Sequence, residues 1–241
     1  MAANSKDRRQ NVVRNASSRP KGTYIVLGIV FVVGASILGW AATRKPDSGA
    51  PIAPTPITVD PATAGPPQGY LMGKPDAPVK ILEFADFECP ACGRFATITE
   101  PDVRKRIIDA GLANVTYYDF PLPQHRNSQP ASNAAACADD EGKFWQMHDA
   151  LFANQDQWNT EATDDPKPFF MKYASDIGLN ASKFEACYNG RTHQKRIEAN
   201  FAEGERRKVN STPTFYIGDV AYRSALSYDE LKAIVDSVAK K

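Results

Sequence analysis

Cysteine, methionine and histidine are all scarce in this sequence: four, four and three residues among 241. Four cysteines cannot staple a chain of this length, so folding must rest on apolar burial, which leaves the thiols for chemistry or for one or two bridges. No methionine-rich or histidine-rich tract occurs, which weighs against a protein that collects metal ions along its chain. Net charge is equally small, +1 from 29 Lys plus Arg against 28 Asp plus Glu. It is unevenly spread: residues 1–45 hold eight Lys or Arg against Asp7, and residues 46–241 carry a net −6. A mildly acidic body does not fit a nucleic-acid binder. The part of the chain after residue 69 lacks internal repeats and a second linker, and reads as one domain. What is present, 42% hydrophobic and 24% charged residues, excludes wholesale disorder or a collagen-like fibre.

One stretch lacks charge altogether. Tyr24 to Ala42 is a 19-residue run rich in Ile, Val and Leu, with Tyr24 and Trp40 near its ends. At 1.5 Å per residue it spans ~28 Å, close to the hydrocarbon core of a bilayer, and aromatic rings favour the interfaces. Six Lys or Arg precede it and two follow. The positive-inside rule therefore gives a basic cytoplasmic N-terminus at 1–23, a transmembrane signal anchor at 24–43, and everything later outside. The competing reading is a cleaved signal peptide, for which the run is long and Thr43-Arg44-Lys45-Pro46 a poor cleavage site. Residues 44–69 form a Pro-rich linker, with seven prolines between Pro46 and Gly69, too poor in large apolar side chains to nucleate a core.

Within residues 70–241, Val79 to Phe87 reads as a mostly buried strand and Asn114 to Phe120 as a second. A helix fits between them, from the cysteines to about Ala110, with Gly111 as its C-cap. From Ser128 to Arg207 the pattern is helical: Phe144, Met147, His148, Leu151 and Phe152 share one face, as do Phe169, Phe170, Tyr173 and Ile177. Thr214 to Ile217, a Gly218-Asp219 turn and Val220 to Tyr222 form a hairpin, and Leu231, Ile234, Val235 and Val238 mark a last amphipathic helix. The fold class is α/β, a sandwich with a helical insertion.

The chemistry lies in Cys89-Pro90-Ala91-Cys92. Two thiols three positions apart at a strand-to-helix junction can close a small disulfide ring, and proline suits the first helical position because its missing N–H has no partner there. Cys89 then caps the helix, facing unpaired N–H groups that favour thiolate, and is the nucleophile; Cys92, one turn inside, is the resolving thiol. A structural zinc half-site and an inert bridge are the alternatives, and neither Cys137 nor Cys187 has a Cys or His at ligand spacing.

Three segments together resemble the DsbA-type thiol:disulfide oxidoreductases. They are Gly73-Lys74-Pro75-Asp76-Ala77-Pro78-Val79 leading into Cys89-Pro90-Ala91-Cys92, the Phe144-Trp145-Gln146-Met147-His148-Asp149-Ala150-Leu151-Phe152 helix, and Ser211-Thr212-Pro213-Thr214-Phe215. The resemblance implies a thioredoxin fold over 70–241 with a helical insertion at about 125–207. It implies that Pro213 is a cis-proline facing the Cys pair, and that the Thr212 backbone pairs with an extended substrate beside Pro90 and Ala91. Glu83 matches the family's buried acid and is placed to relay a proton with Cys92; an ordinary edge carboxylate is the alternative. Strongly oxidising members carry histidine where this chain has Ala91, so the redox potential stays open. Cys137 and Cys187, in two different helices, are expected to form a structural bridge within the helical insertion, as in some members of that family, with two buried free thiols as the alternative. Of the scattered His125, His148 and His193, the second lies on an apolar helix face and reads as a core residue.

These features lead to an expectation: an anchored extracytoplasmic protein, single-pass in the cell membrane, that introduces disulfides into reduced or misoxidised exported proteins. It would need no cofactor or metal and would be reoxidised by a membrane quinone-linked partner. A reductase or isomerase of the same fold, and a copper-delivery module using both thiols, remain as alternatives.

Overall fold

The computed structural model describes residues 57–240. The expected anchor at 24–43 and the first part of the Pro-rich segment lie outside the described residues. Among the described residues no helix is long and apolar enough to cross a membrane.

Five strands form one sheet in the order β1-β3-β2-β4-β5: β1 Tyr70–Met72, β2 Val79–Ala85, β3 Ala113–Asp119, β4 Thr214–Ile217 and β5 Val220–Tyr222. The central strand β2 runs parallel to β3 and antiparallel to β4. Both faces of β2 are covered, so its buried residues do not follow a strict alternation. Its parallel partner demands a crossover, supplied by one helical run, α1, over residues 90–108. Within α1, Pro90–Arg94 and Glu100–Val103 are α-helical, and Phe95–Thr99 and Arg104–Ile108 are wound as π-helix. The first π stretch ends just before Pro101, which has no N–H to return to the preceding turn. Gly111 follows at φ +72°, a left-handed position that glycine adopts without steric cost.

The edge strand β1 is an element the sequence did not show. It pairs antiparallel with β3, Tyr70 opposite Tyr117 and Met72 opposite Val115. Three residues are too few for a period-two pattern to stand out.

The insertion consists of α2 Ser128–Asp139, α3 Phe144–Ala153, α4 Gln155–Trp158, α5 Lys167–Asp176, α6 Ala181–Gly190 and α7 Gln194–Arg206, and α8 Tyr228–Val238 closes the fold. On one face of the sheet Val79, Ile81, Phe215 and Ile217 pack with Phe95 and Ile107 of α1 and Leu231 and Val235 of α8. A second core lies inside the insertion, where Ala131, Ala134, Ala135 and Ala138 of α2 meet Phe144, Met147, Leu151, Trp158, Phe170 and Phe184. The alanines let the helices approach closely. A disulfide joins Cys137 of α2 to Cys187 of α6, Cα atoms 5.9 Å apart. Gly204 brings α7 onto the sheet end: a Cβ there would meet the Phe120 ring at 2.4 Å.

The end of the Pro-rich segment is bonded to the domain. Arg206 Nη1 donates to the Pro61 carbonyl at 2.7 Å, and Arg196 Nε donates to the Gln68 carbonyl at 2.7 Å. The Gln68 N–H donates to Asn200 Oδ1 at 2.8 Å. Proline-rich chain has carbonyls but few donors of its own, and the arginines of α7 fill that need. The last residues of the Pro-rich linker are thus bonded along α7.

Candidate active site

Strand β2 runs into a tight turn, Asp86 to Cys89, and α1 starts at Pro90. Cys89 has extended backbone (φ −67°, ψ 120°) and stands at the N-cap, with Pro90 in the first turn and Cys92 one turn in. Both thiols are reduced and buried, Cys89 7% exposed and Cys92 1%. Pro90 is exposed and Ala91 half-buried, so these two residues form the open side of the pair. The turn is held from the insertion: Gln155 Nε2 donates to the carbonyls of Phe87 at 2.6 Å and Cys89 at 3.1 Å.

The two sulfurs differ sharply. Cys89 is lowered to about 6, chiefly by the hydrogen bond from the Cys92 thiol; the Thr212 hydroxyl and the N–H groups of Cys92 and Ala91 add to this, and burial opposes it. No N–H bonds the Cys89 sulfur with full capping geometry, so the helix end acts mainly as a field. Cys92 is pushed well above the ordinary thiol range by burial, then by its bond to Cys89 and the charge there. One attackable thiolate thus stands before one shielded thiol, the arrangement that two-step thiol–disulfide exchange needs.

The loop before β4 faces the pair. Cys89 Sγ donates to the Thr212 carbonyl at 3.2 Å, and the Thr212-Pro213 peptide bond is cis, with Pro213 buried. Glu83 sits on the central strand, bonded to neighbours on both sides, so the edge-carboxylate alternative falls. Its side chain is 3% exposed and shares the face of Val79 and Ile81, under α1. Burial pushes its carboxyl well above the usual carboxylate range, the charge of Glu100 adds to this, and Arg104 opposes it. Arg104 bonds Glu100 at 2.9 Å and Asp149 at 2.8 Å. His148 is buried at 1% exposure among Phe87, Tyr117, Phe144 and Phe152, a core position, with Nδ1 2.9 Å from Asp149.

Gln155 and His125 are neighbours of the site that the sequence did not single out. In the loop after β3, His125 Nδ1 donates to Asp86 Oδ2 at 2.7 Å, and the Leu122 N–H donates to the same oxygen at 2.7 Å. The other Asp86 oxygen accepts the Glu88 N–H at 2.7 Å, and the Asp86 carbonyl accepts the Cys89 N–H at 3.0 Å. Glu88, raised by burial, is bonded by the N–H groups of Asn127 and Thr160. Elsewhere, His193 lies beside the Cys137–Cys187 bridge, its ring nitrogen and both sulfurs within 4.8 Å of one another. The bridge commits both of those sulfurs.

A family model described as thioredoxin matches residues 66–237. The chain is 29% identical over 223 residues to a Na(+)/H(+) antiporter NhaA of Salinispora tropica, covering 87% of this chain but 32% of the antiporter. It thus spans about a third of the length of that relative. It is 25% identical over 186 residues to disulfide bond formation protein D of Bacillus subtilis, covering 76% of this chain and 82% of that one. Among solved structures, oxidised BdbD from Bacillus subtilis superposes with a TM-score of 0.65 at 24% identity, over 74% of this chain and 98% of that one.

Proposed function

Because the chain belongs to the thioredoxin family and has the helical insertion of the DsbA type, we propose that it forms disulfide bonds in exported proteins by exchange through Cys89 and Cys92. A substrate thiolate attacks Cys89 of the oxidised pair; the Cys89–substrate bond forms, the Cys89–Cys92 bond breaks, and Cys92 leaves with the electron pair. Cys92 then takes a proton, and Glu83, whose carboxyl burial holds well above the usual carboxylate range, is the residue we assign to supply it. A second substrate thiolate attacks its own sulfur in the mixed disulfide, releasing an oxidised substrate and the Cys89 thiolate. A membrane quinone-linked protein takes the two electrons and restores the pair. The Thr212 backbone and the surface of Pro90 and Ala91 hold the substrate segment, through main-chain groups that tolerate many sequences.

The observation that carries this reading is the placement of the two sulfurs, Cys89 at the helix N-cap beside the Thr212 carbonyl and Cys92 one turn in and fully buried, which lowers the first to about 6 and raises the second. A stabilised thiolate stabilises the reduced form, and a protein so stabilised is an oxidant toward ordinary dithiols. A value of about 6 implies a moderate oxidant, consistent with Ala91 in place of histidine. Equilibration of the full-length protein with glutathione tests it. A potential between the reference values of ~−270 mV and ~−120 mV is expected, and one at or below ~−270 mV would make the protein a reductase.

The uncharged run at 24–43 would hold the domain outside the cell membrane, with the N-terminus in the cytoplasm. A disulfide in the insertion suits an oxidising compartment. Fractionation of the native host separates an anchor, full-length and released only by detergent, from a cleaved signal peptide, shortened and soluble.

A further inference from the structure

The site holds an electrostatic contradiction. Asp86 is fully buried in the turn that ends at Cys89, and a carboxylate there opposes a second negative charge on the sulfur. Its charge also acts upward on Cys92, against a larger lowering by the Asp86 backbone hydrogen bond. Yet no histidine stands between the two cysteines to supply compensation. The compensating cation comes from elsewhere in the chain: His125, 39 residues from Asp86, closes onto its Oδ2 at 2.7 Å.

We propose that His125, clamped by Asp86 at the foot of the Cys89 turn, is the cationic positioning residue that neutralises the buried carboxylate and thereby sets the reactivity of Cys89. The charged groups facing the imidazole agree on its state. Asp86 raises its basicity most, by the hydrogen bond and by its charge; Glu88 from the same turn and Cys89 from the start of α1 raise it further, and burial opposes them. Arg126, the neighbour of His125 in its own loop, is directed away, to Asp164 and the Thr160 carbonyl. The pairing with Asp86 therefore favours the imidazolium form, and its coupling to Cys89 is favourable when that sulfur is a thiolate. An imidazole delivered by the β3–α2 loop takes over the part that a histidine inside the redox tetrapeptide would play.

The inference rests on Cys89 being the reactive sulfur, and the test separates the two. The reduced full-length protein is alkylated with iodoacetamide from pH 4 to 9, the modified residue is identified by mass spectrometry, and the rate midpoint is read for wild type, H125Q, D86N and the D86N/H125Q double variant. H125Q leaves the carboxylate uncompensated, and its midpoint should rise by about one unit, slowing alkylation at pH 6 about fivefold. D86N should move it the opposite way or leave it, and the double variant, neutral like the original pair, should return close to wild type. A merely structural role would shift every variant upward together. An unchanged midpoint in H125Q, or an upward shift in D86N, overturns the inference; should H125Q not fold, the D86N sign decides. Wild-type labelling at Cys92 instead of Cys89 would overturn the functional reading itself.

Discussion

Cys89 and Thr212 stand 123 positions apart in sequence, and the sulfur of one lies 3.2 Å from the carbonyl oxygen of the other. In the reduced protein the thiol occupies that carbonyl. Once the thiolate forms, or the disulfide closes, the sulfur has no proton to donate and the carbonyl is free for an incoming main-chain N–H. The acceptor is thus released in the thiolate and disulfide states.

The asymmetry of the pair predicts its labelling. At pH 6 about half of Cys89 is thiolate, whereas Cys92 is essentially all thiol. Iodoacetamide at that pH should modify Cys89 alone, and Cys92→Ser should accumulate mixed disulfides through Cys89. Predominant modification of Cys92 on mass spectrometry would reverse the roles.

Stability of the reduced protein should vary with pH in a defined sense. Folding lowers Cys89, so its contribution is full above the ordinary thiol value and is lost as pH falls through about 6. Folding raises Cys92, so its contribution is full below the ordinary thiol value and declines as pH climbs past it. Relative to the oxidised form, the reduced protein should gain a few kcal/mol at most between pH 5 and 8 and lose again above pH 9. Tm values of the two forms measured in parallel check this, and a flat difference would contradict it.

Glu83 gives a prediction of the opposite sign. Burial raises its carboxyl, so folding favours the protonated acid, and that contribution fades as pH climbs from the ordinary carboxyl range through the folded value. Glu83→Gln removes the cost of burying an ionisable group and should stabilise the protein by about 1–2 kcal/mol at pH 8, less at pH 5. If Glu83 relays the proton as proposed, the same variant should slow turnover of dithiol substrates about tenfold or more. Urea unfolding at the two pH values, beside an oxidation assay, measures both effects.

Legibility in the sequence followed the range of the interactions. Features written in neighbouring residues were readable: the strand-turn-helix of the Cys pair, the hairpin around Gly218, and the last helix, whose Ser227 and Glu230 form a capping box. What escaped depends on partners far along the chain. His125 looks like a loop histidine until β2 and β3 pair and bring Asp86 to it. Gln155 touches the turn from 66 residues beyond Cys89. The π winding of α1 was foreshadowed by Pro101 but hidden in its apolar pattern.

The Cys137–Cys187 bridge joins α2 to α6 within the insertion. Replacing both by alanine should cost about 2–4 kcal/mol on the chain-entropy account while leaving the midpoint of Cys89 alkylation unchanged. A shifted midpoint would mean that the bridge reaches the active site.

Arg196 fixes where the working unit begins. Its guanidinium lies 3.8 Å over the Tyr70 ring, bonds Asp139 of α2 at 2.7 Å, and takes the Gln68 and Gly69 carbonyls on its remaining N–H groups. A fragment cut at the first strand would keep the arginine and discard its two carbonyl acceptors, and would strip Asn200 of the Gln68 N–H. The residues ahead of β1 thus act as a fastening strap across two helices and an edge strand, and trimming them away would unfasten the flank of the domain that carries the short edge strand.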